Sequence, residues 1–411
     1  MAKDWAGWVG AMVGVIGLGF AAQQYFFGTF APTNINEIRG GRSCGGFLIN
    51  DELPADSKPT TLDEDETKRL KEKIECYRDQ IEKNPKDAIA FTNRGEAKRR
   101  LGRLREALLD QEKALQLNRD LQEAKIGLGL VEGNLGNTKA ANRVIQDAVA
   151  QKESAIAYFY QGFAFTQQQA WKSAEASFRR AINLNPNYAD AYNNLGASLS
   201  KQGKAVEAVS AYQKAINLNP SYADAYNNLG VALFEQGKTA EAIIAYQKAI
   251  SFNPKYATAY NNLGAVLGEQ GKTVEAITAY QKAISLDPNY SNAYTNLGNV
   301  LAEQGKAVEA ITAHQKAISL NPNNAGAYNN LGNVLAEQGK MGEAIAALRK
   351  AISLNPNDAD AYGNLGIALK KQGNLEGSIS KLKKARDLYR AQGNTQKANQ
   401  ITQVLEKVDT R

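Results

Sequence analysis

Proline recurs at Pro186, Pro220, Pro254, Pro288, Pro322 and Pro356, once every 34 residues. Around those prolines the chain repeats itself. The stretch Ala223–Tyr256, ADAYNNLGVALFEQGKTAEAIIAYQKAISFNPKY, nearly matches its neighbours 34 residues away on either side. Self-similarity at a fixed period argues against a single globular core and predicts a stack of supersecondary units, each touching only its neighbours. The length of 411 residues is then no guide to domain number.

Within the unit, Tyr226, Leu229 and Leu233 form one apolar stripe at helical spacing, and Ala242, Tyr246 and Ala249 form a second. Gly237-Lys238 interrupts the first helix. Asn253-Pro254 ends the second, because proline has no amide with which to continue it. The unit reads as an αα-hairpin. Gly230, Ala242 and Ala249 leave room for close helix approach, while Tyr226 and Tyr246 fill space between neighbours.

An aromatic residue, Leu-Gly, Ala, a second aromatic and Pro at these spacings resemble the tetratricopeptide repeat (TPR) family. The resemblance implies an all-α, right-handed α-solenoid of about nine TPR hairpins with capping helices. Six regular repeats occupy 189–392, and three degenerate ones occupy 88–188, where Arg94 and Gln161 replace the leucine and Arg119 and Glu153 stand at proline positions. The middle degenerate unit is one residue short, so the superhelix is expected to be irregular there. A half-repeat helix over 61–85 is expected to cap one end, opened by a Thr61-x-x-Glu64 capping box. Residues 393–411, with Ala398, Ile401, Leu405 and Val408 on one helical face, cap the other.

The N-terminal region is of another kind. Trp5–Ala22 is a run of 18 apolar or small residues with aromatics at both flanks, the length and dress of a transmembrane helix. Residues 1–31 are read as an anchor that places the chain in a membrane through 5–30, and 32–60, rich in Gly and Pro, as a flexible linker. A cleaved signal peptide is the competing reading, which would make the protein a secreted or periplasmic adaptor. It is disfavoured by Asp4 directly after Lys3 and by the aromatics beyond the cleavage point. Few charges flank the span, and they lean the array toward the cytoplasm, with a periplasmic or lumenal side as the alternative. Gly10-x-x-x-Gly14 would let two anchors pack as a homodimer. An anchor followed by near-consensus repeats is similar in layout to bacterial, cyanobacterial and plastid TPR assembly factors, which implies a scaffold in assembly, targeting or quality control of membrane complexes.

No constellation of catalytic groups is apparent, so no enzyme, cofactor or metal site is expected. The single histidine, His314, stands where other repeats carry Tyr212, Tyr246, Tyr280 or Leu348, and reads as a partly buried packing residue. Cys44 and Cys76 are too few for a disulfide framework or a zinc site and leave the compartment open. The net charge of +7 is uneven, because seven acids and one lysine fall within 51–66. Lys98, Arg99, Arg100, Arg103 and Arg105, joined by Lys86 and Arg94, form a candidate patch for an acidic partner or lipid heads. Nucleic acid is disfavoured, since no aromatic side chains interleave with these charges.

The candidate binding row is Asn194, Asn228, Asn262, Asn296, Asn330 and Asn364, each just before a Leu-Gly, with Asn93 in the same slot upstream. Asparagine is a poor interior helix residue, so its return in register calls for a cause. The ladder resembles that of the O-GlcNAc transferase superhelix, which implies a concave groove gripping an extended protein segment. An amide carries both an acceptor and donors and so matches any peptide unit. Hydrogen bonds between repeats are the second reading, and sequence leaves both open. The Lys and Arg of the co-chaperone clamp are absent from the first helices, where this chain has Asn, Thr, Gly or Asp. With few residues after the last repeat, a catalytic domain like that of the transferase is not expected.

Overall fold

A computed structural model describes Cys44 and residues 64–409. The expected anchor, the Gly10-x-x-x-Gly14 contact and nearly all of the expected linker lie outside the described residues. Every described element is helical, and none is long and apolar enough to cross a membrane.

The helices fall into two compact units that divide at Phe252 and Asn253. In the first, α1 (Glu64–Lys83) precedes five hairpins. These are α2 (Ala88–Arg100) with α3 (Leu104–Leu117), α4 (Gln122–Asn134) with α5 (Thr138–Gln151), and α6 (Ala155–Gln167) with α7 (Trp171–Leu184). Two further pairs follow, α8 (Ala189–Lys201) with α9 (Ala205–Leu218), and α10 (Ala223–Glu235) with α11 (Thr239–Phe252). The second unit holds α12 (Ala257–Glu269) with α13 (Thr273–Leu286), and α14 (Ser291–Glu303) with α15 (Ala307–Leu320). It continues through α16 (Ala325–Glu337) with α17 (Met341–Leu354), then α18 (Ala359–Lys371) with α19 (Leu375–Ala391), and closes on α20 (Thr395–Asp409).

Each hairpin is set by two local devices. At the end of α10, Gly237 takes φ 74° and donates to Phe234 O at 2.8 Å, while the Lys238 amide reaches Leu233 O at 2.9 Å. This satisfies the last carbonyls and turns the chain. In the hairpin of α6 and α7 the left-handed residue is Gln169, at φ 57°, the one described non-glycine with positive φ. After α9, Asn219 Oδ1 accepts from the Ser221 amide at 3.2 Å beside Pro220, and its carbonyl accepts from Tyr222 N at 3.1 Å. Proline stops the helix and the Asx turn aims the chain into the next one.

Helices within a hairpin touch through glycine. A Cβ on Gly230 would stand 2.7 Å from Cε1 of Tyr246, and one on Gly264 would stand 2.8 Å from Cε1 of Tyr280. In these two hairpins the ring of the second helix therefore lies on bare backbone of the first. Ala242, Ala249, Ala276 and Ala283 are fully buried around those contacts. Tyr226 is only half-buried and stacks on Phe252 at 5.5 Å, whereas Tyr188, Tyr222 and Tyr290, which close three repeats, are buried.

The degenerate repeats exchange one apolar contact for polar pairs. Where regular repeats place leucine against the alanine of the second helix, Arg94 chelates Asp110 at 2.6 and 2.9 Å, and Gln161 Oε1 accepts from Ser177 Oγ at 3.0 Å. In the short repeat, Gln122 Nε2 donates to Ala148 O and Lys152 O at the end of α5, and Ser154 caps α6.

The two cysteines, assigned no structural role from sequence, are joined by a disulfide with Cα atoms 5.8 Å apart. Tyr77 Oη also donates to Cys44 O at 3.3 Å, and Leu70, Ile74 and Ala97 pack around the bridge. Part of the expected flexible linker is thus tied to α1.

Candidate functional site

The asparagine row faces the neighbouring repeat before it faces anything else. In the first unit Asn228 Nδ2 donates to Asn193 Oδ1 at 3.1 Å. In the second, Asn296 reaches Asn261 at 3.0 Å, Asn364 reaches Asn329 at 3.0 Å, and Asn330 reaches Asn299 at 2.7 Å. The bonded residues stand about one repeat apart in sequence, so each bond ties successive first helices. Hydrogen bonds between repeats, one of the two readings open from sequence, are therefore present. Asn194 differs, turning its amide back to Asp190 O at 2.9 Å and leaving its buried Oδ1 without a partner.

Exposure divides the row. Asn194, Asn228 and Asn296 are buried, while Asn262, Asn330 and Asn364 are half-buried. Asn330 Oδ1 accepts only a long 3.5 Å contact from Asn329, and Asn364 Oδ1 has no hydrogen-bond partner among the described residues. A neutral amide pair that tethers two helices contributes about 0.5–1.5 kcal/mol net. The cost of placing asparagine inside a helix is of similar size, which is why the row can persist without penalty.

The basic cluster is organised inward. Arg99 and Arg100 both donate at 2.8 Å to Glu96, which is 1% exposed, and Arg99 also reaches Asn134 at 3.0 Å. Lys98 Nζ lies 2.7 Å from Asp110 Oδ2. Burial alone would raise the Glu96 carboxyl, but Arg99 and Arg100 hold it below the usual carboxylate range. Lys98, Arg99 and Arg100 are buried, whereas Arg103, paired with Glu106, and Arg105 are exposed. The five-residue patch expected from sequence is corrected to two exposed arginines. The acids Glu96 and Asp110 lie one turn away and on the facing helix, and they draw the other charges into an internal network.

His314 is fully buried rather than partly so. Its ring lies on Gly298 as tyrosines lie on the glycines of other repeats, with both nitrogens unpartnered, and burial lowers it to about 4. Among the described residues, no group of three or more His, Cys, Asp and Glu is placed to hold a metal ion.

A family model described as TPR repeat matches six successive stretches, 162–203, 199–237, 232–271, 269–305, 298–339 and 332–373. A second, described as Tetratricopeptide repeat, matches 88–121. The chain belongs to the tetratricopeptide repeat family. Among solved structures, the APC/C hetero-tetramer Cut9-Hcn1 is similar at 20% identity and TM-score 0.56, over 73% of this chain and 59% of that chain. This chain thus spans somewhat over half the length of that one, and the likeness is one of fold. Yeast Tom70 is similar at 15% identity and TM-score 0.49, over 84% and 86% of the two chains. YrrB, described as a TPR protein with an unusual peptide-binding site, is similar at 28% identity and TM-score 0.37, over 47% of this chain and 99% of that one. No curated protein matches the chain.

Proposed function

We propose that this TPR protein is a non-enzymatic scaffold that holds an extended protein segment along its asparagine-bearing first helices. The observation that carries the reading is the half-buried state of Asn330 and Asn364, whose amides tie one repeat to the next and keep an accessible edge. Such an edge meets the backbone of a segment without regard to its sequence. The scaffold would serve assembly, targeting or quality control of membrane complexes, with residues 5–30 as its anchor.

The Cys44–Cys76 bond favours a second reading of the compartment. Disulfides persist in oxidising surroundings. The bond therefore supports a periplasmic or lumenal array, or an adaptor freed by cleavage of its N-terminus, over the cytoplasmic orientation.

A photo-crosslinking side chain placed at Asn364, and separately at Val308, tests the reading in the full-length protein in its native membrane. Val308 is 74% exposed on a second helix and serves as the control. Adducts at Asn364 and none at Val308 are expected, whereas equal labelling or the reverse overturns the groove. Alkaline carbonate extraction tests the anchor, and release of the protein from the membrane contradicts it.

A further inference from the structure

The residue that closes the repeat is tyrosine at Tyr188, Tyr222, Tyr256 and Tyr290 in four successive repeats, but Asn324 and Asp358 stand in that slot in the next two. Tyr188, Tyr222 and Tyr290 are buried, and the hydroxyl of Tyr222 donates to Asp190 at 2.6 Å. Two residues beyond the slot, the series Asp190, Asp224, Thr258, Asn292 loses its side chain altogether at Gly326. Where two consecutive rings are missing, the second unit has a cavity of about 480 Å³, lined among others by Asn292, Asn296, Asn324, Gly326, Asn330 and Asp358. That volume lies within the range of small-ligand sites.

The walls are pinned. Asn324 Oδ1 caps α16 through Ala327 N at 3.0 Å, while its Nδ2 donates to Thr295 Oγ1 at 3.1 Å and Ser291 Oγ at 3.3 Å. Asp358 caps α18 through Ala361 N at 3.0 Å. The two carboxylates differ in their partners. Asp360 accepts from Lys397 Nζ at 2.9 Å and from the Tyr389 hydroxyl, so its charge is met. Asp358 has no ion pair among the described residues; burial, with a smaller contribution from Asp360, raises its carboxyl above the usual range against the lowering pull of two backbone amides and the charge of Lys397. The cavity thus combines one half-buried acid that has no ion pair with a wall of amide groups. An anion would meet two carboxylates, and an apolar group would leave the amides unpaired. A guanidinium brings five planar N–H donors and a positive charge, which suit a carboxylate beside a wall of amide groups.

We propose that this cavity is a subsite for an arginine side chain of the segment held along the first helices. It rests on the segment-holding reading and adds a residue preference at one position to an otherwise sequence-independent grip. The test uses the full-length protein in detergent and two acetylated, amidated alanine-rich peptides, one with a central arginine and one with citrulline, its neutral isostere. Calorimetry should show the arginine peptide binding about ten- to hundredfold more tightly, the range for hydrogen bonds to a charged partner. Asp358→Asn, which keeps the cap, should erase that preference. The double variant Asn324→Tyr and Asp358→Tyr restores the residues of the other repeats. It should fold, as its circular dichroism would report, and bind the two peptides alike. Equal binding of both peptides by the wild type overturns the subsite alone. Binding of neither overturns the segment-holding reading and the subsite with it. Retention of the preference in Asp358→Asn or in the refilled variant places the arginine elsewhere and refutes the assignment.

Discussion

Replacing His314 with tyrosine should stabilise the protein and remove part of its acid sensitivity. The imidazole is 0% exposed and neither nitrogen has a partner. An unsatisfied buried polar group costs about 1–3 kcal/mol. In the equivalent slot, Tyr280 lies on Gly264 with the closeness that His314 has on Gly298, so the larger ring has a precedent in this fold. We expect about 1–2 kcal/mol of stabilisation at neutral pH. The pH effect follows from linkage. Burial holds the folded imidazole at about 4, against an unfolded value of 6.5. Between those values the unfolded chain binds the extra proton, so stability is complete above the unfolded value and is lost as pH falls toward the folded one. The loss is about 2 kcal/mol by pH 5 and approaches about 3 kcal/mol below pH 4. Carboxyls raised by burial, such as Glu303, are common to both proteins and cancel in the comparison. Urea unfolding of wild type and His314→Tyr at pH 7.5 and pH 5, with hydrogen exchange of α15 to localise the effect, reads the difference. An identical pH dependence in the two proteins would refute the reasoning.

Three further outcomes follow from the packing. Gln169→Gly should raise stability by about 1 kcal/mol, because glycine adopts the left-handed conformation without steric cost; a lower melting temperature would count against the turn geometry. Gly264→Leu drives its side chain into the Tyr280 ring and should cost about 1–3 kcal/mol or more, with hydrogen-exchange protection lost first in α12 and α13; uniform loss along the chain would contradict nearest-neighbour stability. Replacing Cys44 and Cys76 together by serine should cost about 3–4 kcal/mol at the α1 end, from a loop closed across 32 residues; unchanged protease resistance of α1 would show that the bond is not formed.

The period and the hairpins were legible because the turns between helices carry their own chemistry, such as Gly237 at positive φ or the Asn219-Pro220 turn. The family followed from the same residues. The asparagine row was legible as a row but not as a set of bonds, because Asn228 and Asn193 meet only once two first helices lie side by side. The basic cluster misled because charge was read along the chain. Glu96 stands three and four residues before Arg99 and Arg100, a helical spacing that was open to reading, whereas the pairing with Asp110 needs the hairpin closed. The disulfide left no trace in sequence, since two cysteines carry no spacing rule and Cys44 meets Cys76 only once it lies against α1. The vacated tyrosine slot was visible in the column from Tyr188 to Asp358, but its meaning depends on Tyr222 and Tyr290 being buried.

The central claim is that the asparagine row both ties repeats and grips a protein segment. Its most direct test is Asn262→Ala, Asn330→Ala and Asn364→Ala combined, the three half-buried members of the row, assayed for affinity toward the segment cross-linked at Asn364 and for thermal unfolding of the same sample. Losing three neutral hydrogen bonds to the segment should cost about 2–4 kcal/mol, or roughly 30- to 1000-fold in affinity. The midpoint should fall modestly, because the lost ties between repeats are partly offset by the better helix propensity of alanine. Affinity that falls this far while the variant remains folded at the assay temperature is the predicted result; unchanged affinity with a lowered midpoint would contradict the claim and leave the row as a tie between repeats alone.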